Sequence, residues 1–461
     1  MLKRVLIANR GEIALSIFRA CRELGIETVA VYSDVDRHQP VLYFADESVC
    51  IGGAKSTDSY LNMNNIIAAA LGTGCDAIHP GYGFLSENPD FAELVEKNGL
   101  KLVGPSSETI RTMGDKLSAR KLMVEHQVPV VPGKNIALDS EASLKEIAAE
   151  IGYPVLLKAS AGGGGKGMRR VYKESELIEN WNIARREALS SFGDDRIYIE
   201  KLVQNPRHIE FQILADRYGN VVHLHERDCS IQRNNQKFLE EAPSTGIKDE
   251  ILEKMGQAAV NCAKACHYEG AGTVEFIVDE ADRFYFIEMN TRIQVEHPVT
   301  EMITGVNLLK EQLRIASGLP LRLKQEEIQR DGHAIEVRVN AQNPLNNFTP
   351  SCGKISFYFP PGGINTRFES GLYQGAEILP FYDSMLGKLI VKGKTRLDAI
   401  KKMRRAIEET IIDGITTNLS FQYAILHEPD FLKGKVTTSY FSEHEENLVK
   451  EIKRVQKLGL N

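Results

Sequence analysis

The sequence predicts an α/β fold with three parts: a doubly wound parallel unit at the N-terminus, a small lid around a glycine-rich loop, and a C-terminal domain with an antiparallel sheet. Three observations carry this. Apolar strand-like runs alternate with amphipathic helical stretches through residues 1–112, four consecutive glycines at 162–165 lie between two apolar runs, and "GTVEFIVDEADRFYFIEMN" reads as two strands around a polar turn.

Taken in order, "RVLIA" is a short apolar strand, and "GEIALSIFRACRELG" follows with Ile13, Ile17, Cys21 and Leu24 on one helical stripe that stops at Gly25. The strand "ETVAVYS", the helix "YLNMNNIIAAALG", the strand "CDAIH", a helix starting near Pro89 and the strand "LKLVG" continue the rhythm of a Rossmann-like parallel sheet. The first turn, "ANRGEIA", has no G-x-G-x-x-G, which argues against a nicotinamide dehydrogenase. Residues 113–205 follow as the lid region: a helix ("GDKLSARKLMVEHQ"), a proline-rich turn, a second helix, and then "KASAGGGGKGM" between strands. The side-chain-free run offers a row of backbone N–H groups, and Lys166 marks the ligand as anionic. It is not a Walker A loop, because Ser160 stands where glycine is needed and Gly167 where a hydroxyl is needed. A lid of this kind closes over phosphates and excludes water. Residues 206–446 form the C-terminal domain, and 447–461 a helical tail with Leu448, Ile452 and Val455 at helical spacing.

The 461 residues suffice for two to four domains. Lys plus Arg total 56 against 62 for Asp plus Glu, so no positive field points to nucleic acid or an anionic membrane. The N-terminal apolar run is too short for a signal peptide, and no stretch reaches the length of a membrane span, so a cytoplasmic location is expected. The seven scattered cysteines form no C-x-x-C pair and read as reduced thiols. Cys262 and Cys266 beside His267, and His223, His225 and Cys229, are explained by core packing and strand alternation rather than by a metal.

An antiparallel hairpin with the four-residue turn "EADR" pairs Glu275 with Glu288. Two carboxylates directly opposite each other destabilise a sheet unless something positive lies between them, and a hard divalent cation meets that need. Asn290 adds a neutral oxygen on the same face. A register slip of one residue would instead leave both glutamates in solvent. If "TRIQVEH" is extended, Arg292, Gln294 and Glu296 share that face, and a guanidinium, an amide and a carboxylate beside a metal suit a small planar oxyanion, with Glu296 as proton acceptor.

Together "ANRGEIA", "HPGYGFLSEN", "GGGGKGM", "ERDCSIQ", "EEAP", "EMNTRIQVEHPVTEMITG" and "YDSMLGKLI" resemble the biotin carboxylases of the ATP-grasp superfamily, from residue 1 to about 445. The resemblance implies an α+β ATP-grasp fold and a reaction in which ATP phosphorylates bicarbonate to carboxyphosphate, whose CO₂ is captured by N1′ of biotin. It implies that Lys116 and Lys158 bind the ATP phosphates under the loop of Gly163, Gly164, Gly165 and Lys166. Glu200, Lys201 and Val203 would face the adenine, and His208 and Gln232 the ribose. Glu275 and Glu288, with Asn290 nearby, would hold Mg²⁺ or Mn²⁺. Arg292, Gln294, the Val295 backbone and Glu296 would hold bicarbonate, with Glu296 as its base and Lys237 stabilising the carboxyphosphate. Arg338 would stabilise the biotin enolate and Tyr82 would lie near the biotin ring; strand alternation by itself puts Arg338 on the surface.

The chain departs from the family pattern in places. Asn234 and Asn235 replace an arginine and a histidine, Asn235 at the nucleotide contact, where an amide still reaches a hydroxyl. Ser16 replaces an arginine near the expected homodimer interface, and "NAQNPLNNFTP" replaces an acidic segment. No lysine is flanked by methionines, so the biotin carboxyl carrier protein and the carboxyltransferase subunits are expected to be separate chains. The expected setting is acetyl-CoA carboxylase, in fatty acid synthesis. Alternatives are a subunit of a pyruvate or propionyl-CoA carboxylase, another bicarbonate-activating ATP-grasp ligase, or a nucleotide-sensing subunit without turnover.

Overall fold

The computed structural model describes residues 1–138, 140–161, 167–457 and 459. The first sheet is parallel, with strands in the order Glu47–Gly52, Glu27–Ser33, Arg4–Ile7, Ala77–His79, Lys101–Leu102. Chain order reverses beside Arg4–Ile7, and at that switch point an open α/β sheet has a crevice outside its strand ends. Asn9 and Arg10, which leave this strand, line the large cavity of the molecule. The helix Gly11–Glu23 buries Ile13, Ile17 and Cys21, the stripe expected from the sequence.

The lid is a three-stranded antiparallel sheet in the order Met168–Val171, Val155–Ala159, Ile197–Lys201. Helices Glu141–Ile151 and Leu177–Phe192 close its core through Leu144, Ile147, Trp181 and Ala184. Lys116–Glu125, by contrast, packs Ala119 and Met123 into the core under the large sheet. Residues Gly163, Gly164, Gly165 and Lys166 lie outside the described residues.

The large sheet has eight antiparallel strands, ordered Phe284–Asn290, Gly270–Val278, Arg207–Ala215, Val221–Arg233, Gln236–Ala242, His333–Asn340, Met385–Gly393, Thr366–Ser370. Strand Val221–Arg233 turns into Gln236–Ala242 through Asn234 and Asn235, with φ of 50° and 62°. A type I′ two-residue turn needs positive φ at both positions, and asparagine, whose short polar side chain bonds locally, adopts that conformation more readily than most residues. The C-terminal helix runs from Tyr440 to Lys457 and buries Leu448, Ile452 and Val455. Cys262 and Cys266 lie in the core against Met289, at 3.8 and 4.0 Å. Among the described residues no helix is long and apolar enough to cross a membrane.

Candidate functional site

The hairpin places Glu275 opposite Glu288, as the sequence predicts, but by a different route. The loop spans Asp279–Arg283, one residue longer than "EADR", and Val278 pairs with Phe284. A bulge at Ile287 then shifts the register so that the glutamates face each other. Beyond Asn290 the strand ends, so Arg292, Gln294 and Glu296 do not extend along one face as expected. They converge through an irregular turn: Arg292 donates to Gln294 at 3.0 Å and to Asn290 at 3.2 Å, and Gln294 donates to Glu275 at 3.1 Å. Glu296 stands at the residue before helix His297–Thr304, with its carboxylate turned to Lys237 and Arg338 rather than to the helix end.

One cavity of about 1360 Å³ is lined by Tyr82, Lys116, Lys158, Glu200, Lys201, Val203, His208, Gln232, Asn235, Lys237, Glu275, Glu288, Asn290, Arg292, Gln294, Val295 and Arg338. Glu296 is the exception. It is fully buried behind the wall, bonded to Lys237 at 2.7 Å and to Arg338 at 2.9 Å. Arg338, which alternation placed on the surface, faces this cavity, because its strand is covered on both sides.

Lys237 is the hub. Its ammonium contacts Glu210 at 2.6 Å, Glu275 at 3.0 Å and Glu296 at 2.7 Å. Burial pushes the Lys237 ammonium down, but those carboxylates outweigh it and hold the group well above its ordinary value. Burial likewise pushes Glu296 up, and Lys237, Arg338 and Arg227 reverse the effect and hold it below the usual carboxylate range. For Glu275, burial is overcome by Lys237 and His208, whose Nε2 lies 3.1 Å away. Arg338 is clamped by Glu240 at 2.7 Å on its other side. Burial, only partly offset by Arg338, pushes Glu240 up to about 7.

Lys116 opens its helix and pairs with Glu288. Lys158 contacts Glu200 at 2.6 Å, and Arg120 holds the same carboxylate at 3.0 Å. Lys201 turns its ammonium away to the carbonyls of Gly152 and Tyr153 at 2.9 Å. Tyr82 donates to Glu12. The donor set of Glu275, Glu288 and Asn290 is all oxygen, with the two carboxylates directly opposed across the hairpin, and it suits a hard divalent cation. His208, Glu210 and Glu275 also lie close enough to share an ion, but that group includes an imidazole nitrogen, a donor that a hard divalent cation favours less than the all-oxygen set.

Sequence reasoning missed Glu210, Arg227, Glu240, Glu12 and Lys388. Glu210 had a signal: in "RHIEFQILA" His208, Glu210 and Gln212 alternate along a buried strand, and Glu210 pairs with Glu275 in register. The others lie inside quoted motifs, Glu12 in "ANRGEIA", Arg227 in "ERDCSIQ", Glu240 in "EEAP" and Lys388 in "YDSMLGKLI", but their partners are on distant segments, which local spacing does not reveal.

Family models match residues 1–110 (biotin carboxylase, N-terminal domain), 115–324 (carbamoyl-phosphate synthase L chain, ATP binding domain) and 336–443 (biotin carboxylase C-terminal domain). Biotin carboxylase 1 of Bacillus subtilis (strain 168) is 54% identical over 446 residues, covering 96% of this chain and 99% of that protein. The biotin carboxylase–β-γ-ATP complex from Campylobacter jejuni has a TM-score of 0.94 at 47% identity, covering 96% of this chain and 99% of that one. The biotin carboxylase domain dimer of the Hydrogenobacter thermophilus 2-oxoglutarate carboxylase, in complex with MgADP, ADP and bicarbonate, has a TM-score of 0.94 at 49% identity, with 97% and 99% coverage. With this identity along nearly its whole length, the chain belongs to the biotin carboxylase family.

Proposed function

We propose that the protein catalyses the ATP- and bicarbonate-dependent carboxylation of biotin carried on a separate protein, the first half-reaction of acetyl-CoA carboxylase. The observation that carries this reading is Glu296, a buried carboxylate set between Lys237 and Arg338 behind a cavity that also presents Arg292, Gln294 and the Glu275–Glu288 pair.

Lys116 and Lys158 supply charge for the ATP phosphates. Glu200, Lys201 and Val203 take the adenine; His208, Gln232 and Asn235 line the ribose side. A Mg²⁺ or Mn²⁺ ion at Glu275, Glu288 and Asn290 would neutralise phosphate charge. Arg292, Gln294 and the Val295 backbone orient bicarbonate. An arriving anion competes for Lys237; as the ammonium turns to it, Glu296 loses that partner and its basicity rises, so that it takes the bicarbonate proton. Bicarbonate oxygen then attacks the γ-phosphorus and ADP leaves. Lys237 stabilises the carboxyphosphate, which breaks at its C–O bond into CO₂ and phosphate; the phosphate takes the N1′ proton of biotin lying beside Tyr82, Arg338 faces the ureido oxygen that gains charge, and N1′ captures the CO₂.

The working partners are a biotin carboxyl carrier protein and carboxyltransferase subunits, in the cytoplasm, and the chain forms a homodimer through the face bearing Arg19. The alternative settings are pyruvate and propionyl-CoA carboxylases, since the acceptor binds to a different active site. The test is ADP release with Mg-ATP, omitting bicarbonate and free biotin in turn, with labelled bicarbonate followed into carboxybiotin. Turnover that needs bicarbonate, rises with biotin and labels it supports the reading. ADP release indifferent to biotin points to another bicarbonate-activating ligase, and silence with biotinylated carrier points to a sensing subunit.

A further inference from the structure

One face of the large sheet carries Glu240, Glu336, Arg338, Lys388 and Glu369 in register across its strands. Lys388 is its fully buried lysine. Its ammonium donates to the Val295 carbonyl at 2.9 Å and contacts Glu12 at 3.2 Å. Glu12 in turn accepts the Tyr82 hydroxyl, whose ring centroid lies 5.8 Å from the same ammonium. Glu336, the adjacent carboxylate, has no hydrogen-bond partner on either oxygen among the described residues. Such a cation is costly to bury, so its partners hold it in one place.

The position has a geometric consequence. Val295 C=O and Glu296 N–H belong to one planar peptide and point in opposite directions, so fixing the carbonyl fixes the plane from which the Glu296 side chain departs. On the other side, the Lys388–Glu12 pair fixes the acceptor that holds Tyr82. We infer that Lys388 is a positioning residue that sets both the turn of Gln294–Glu296 and the Tyr82 ring, and so ties the bicarbonate and biotin subsites to one ammonium. This rests on the functional reading above. The Lys116 and Lys158 contacts with Glu288 and Glu200 do not pass through Lys388.

The test compares KM values for bicarbonate, biotin and ATP in wild type, Lys388→Met and Glu12→Gln. Losing a charge-assisted hydrogen bond corresponds to about a ten- to hundred-fold effect. Lys388→Met is expected to raise the bicarbonate and biotin KM values by about ten-fold or more, with the ATP KM within about two-fold. Glu12→Gln, which leaves the Val295 contact in place, is expected to raise the biotin KM alone. If Lys388→Met does not fold, the charge-neutral Glu12→Gln/Lys388→Met double variant takes the same measurement. An unchanged bicarbonate KM overturns the inference, and so does an ATP KM that rises in parallel. A wild-type enzyme whose ADP release ignores bicarbonate overturns the functional reading instead.

Discussion

Glu296 has no exposed surface, yet it lies within 3 Å of a lysine and an arginine that both line the cavity. Its environment stores the charges that the reaction needs, already desolvated and paired, and an arriving anion has to draw the Lys237 ammonium from Glu296 before that carboxylate can act as a base. Two outcomes are expected at this scale. Arg338→Ala should lower biotin carboxylation by about a hundred-fold or more while leaving bicarbonate-dependent ADP release within about ten-fold, as parallel assays with and without biotin would read. Equal loss of both would move Arg338 to the bicarbonate step. Glu288→Lys should abolish Mg²⁺-dependent turnover by placing a fixed cation opposite Glu275; activity retained in a Mg²⁺ titration would remove the metal from that hairpin.

At the scale of elements, Glu241 joins three of them. It accepts from His333 at 2.7 Å and from Arg396 at 2.7 Å, linking strands Gln236–Ala242 and His333–Asn340 to helix Arg396–Glu409. Burial pushes its carboxyl up, but His333 and Arg396 outweigh burial and hold it down to about 2, against an ordinary value of 4.5. A depressed folded-state value stabilises the protein above the ordinary range, and that contribution is lost as pH falls from 4.5 toward about 2. Thermal midpoints should therefore fall steeply over that window in wild type and less steeply in Glu241→Gln, whose midpoint is already lower at neutral pH. The C-terminal helix invites a second comparison. Ile452 is 1% exposed and packs against the core of the C-terminal domain, so Ile452→Ala should cost about 2–5 kcal/mol in denaturant unfolding with kcat nearly unchanged in the surviving fold.

At the scale of the molecule, the cavity is lined from the N-terminal parallel unit, the lid sheet and the large sheet together, so the site is complete only when these three parts pack against one another. Chelating divalent ions should stop ADP release, and Mg²⁺ or Mn²⁺ should restore it. Ser16 is buried on Glu369, while Arg19 is half exposed, so any dimer face near this helix uses Arg19 rather than position 16. Arg19→Glu should shift the sedimentation coefficient toward the monomer on dilution; an unchanged profile would place the dimer face elsewhere.

Local pattern determined much of this protein. Alternating apolar runs gave the parallel sheet, helical spacing gave the stripe of Gly11–Glu23, and the short hairpin brought Glu275 to Glu288, because each depends on neighbours a few residues apart. The sequence also carried the residue types of the site in ordered motifs. It did not carry the bulge at Ile287, the irregular turn at 291–296, or the inward facing of Arg338. Only the tertiary structure decided that Glu87 would meet Arg292 at 2.8 Å, that Ser16 would meet Glu369, and that Lys388 would bond Val295 and Glu12. Those partners are separated by 93 to 376 residues. A charge in an unfolded chain has water as its partner, and which other charge replaces that water is fixed when the sheets pack and exclude it.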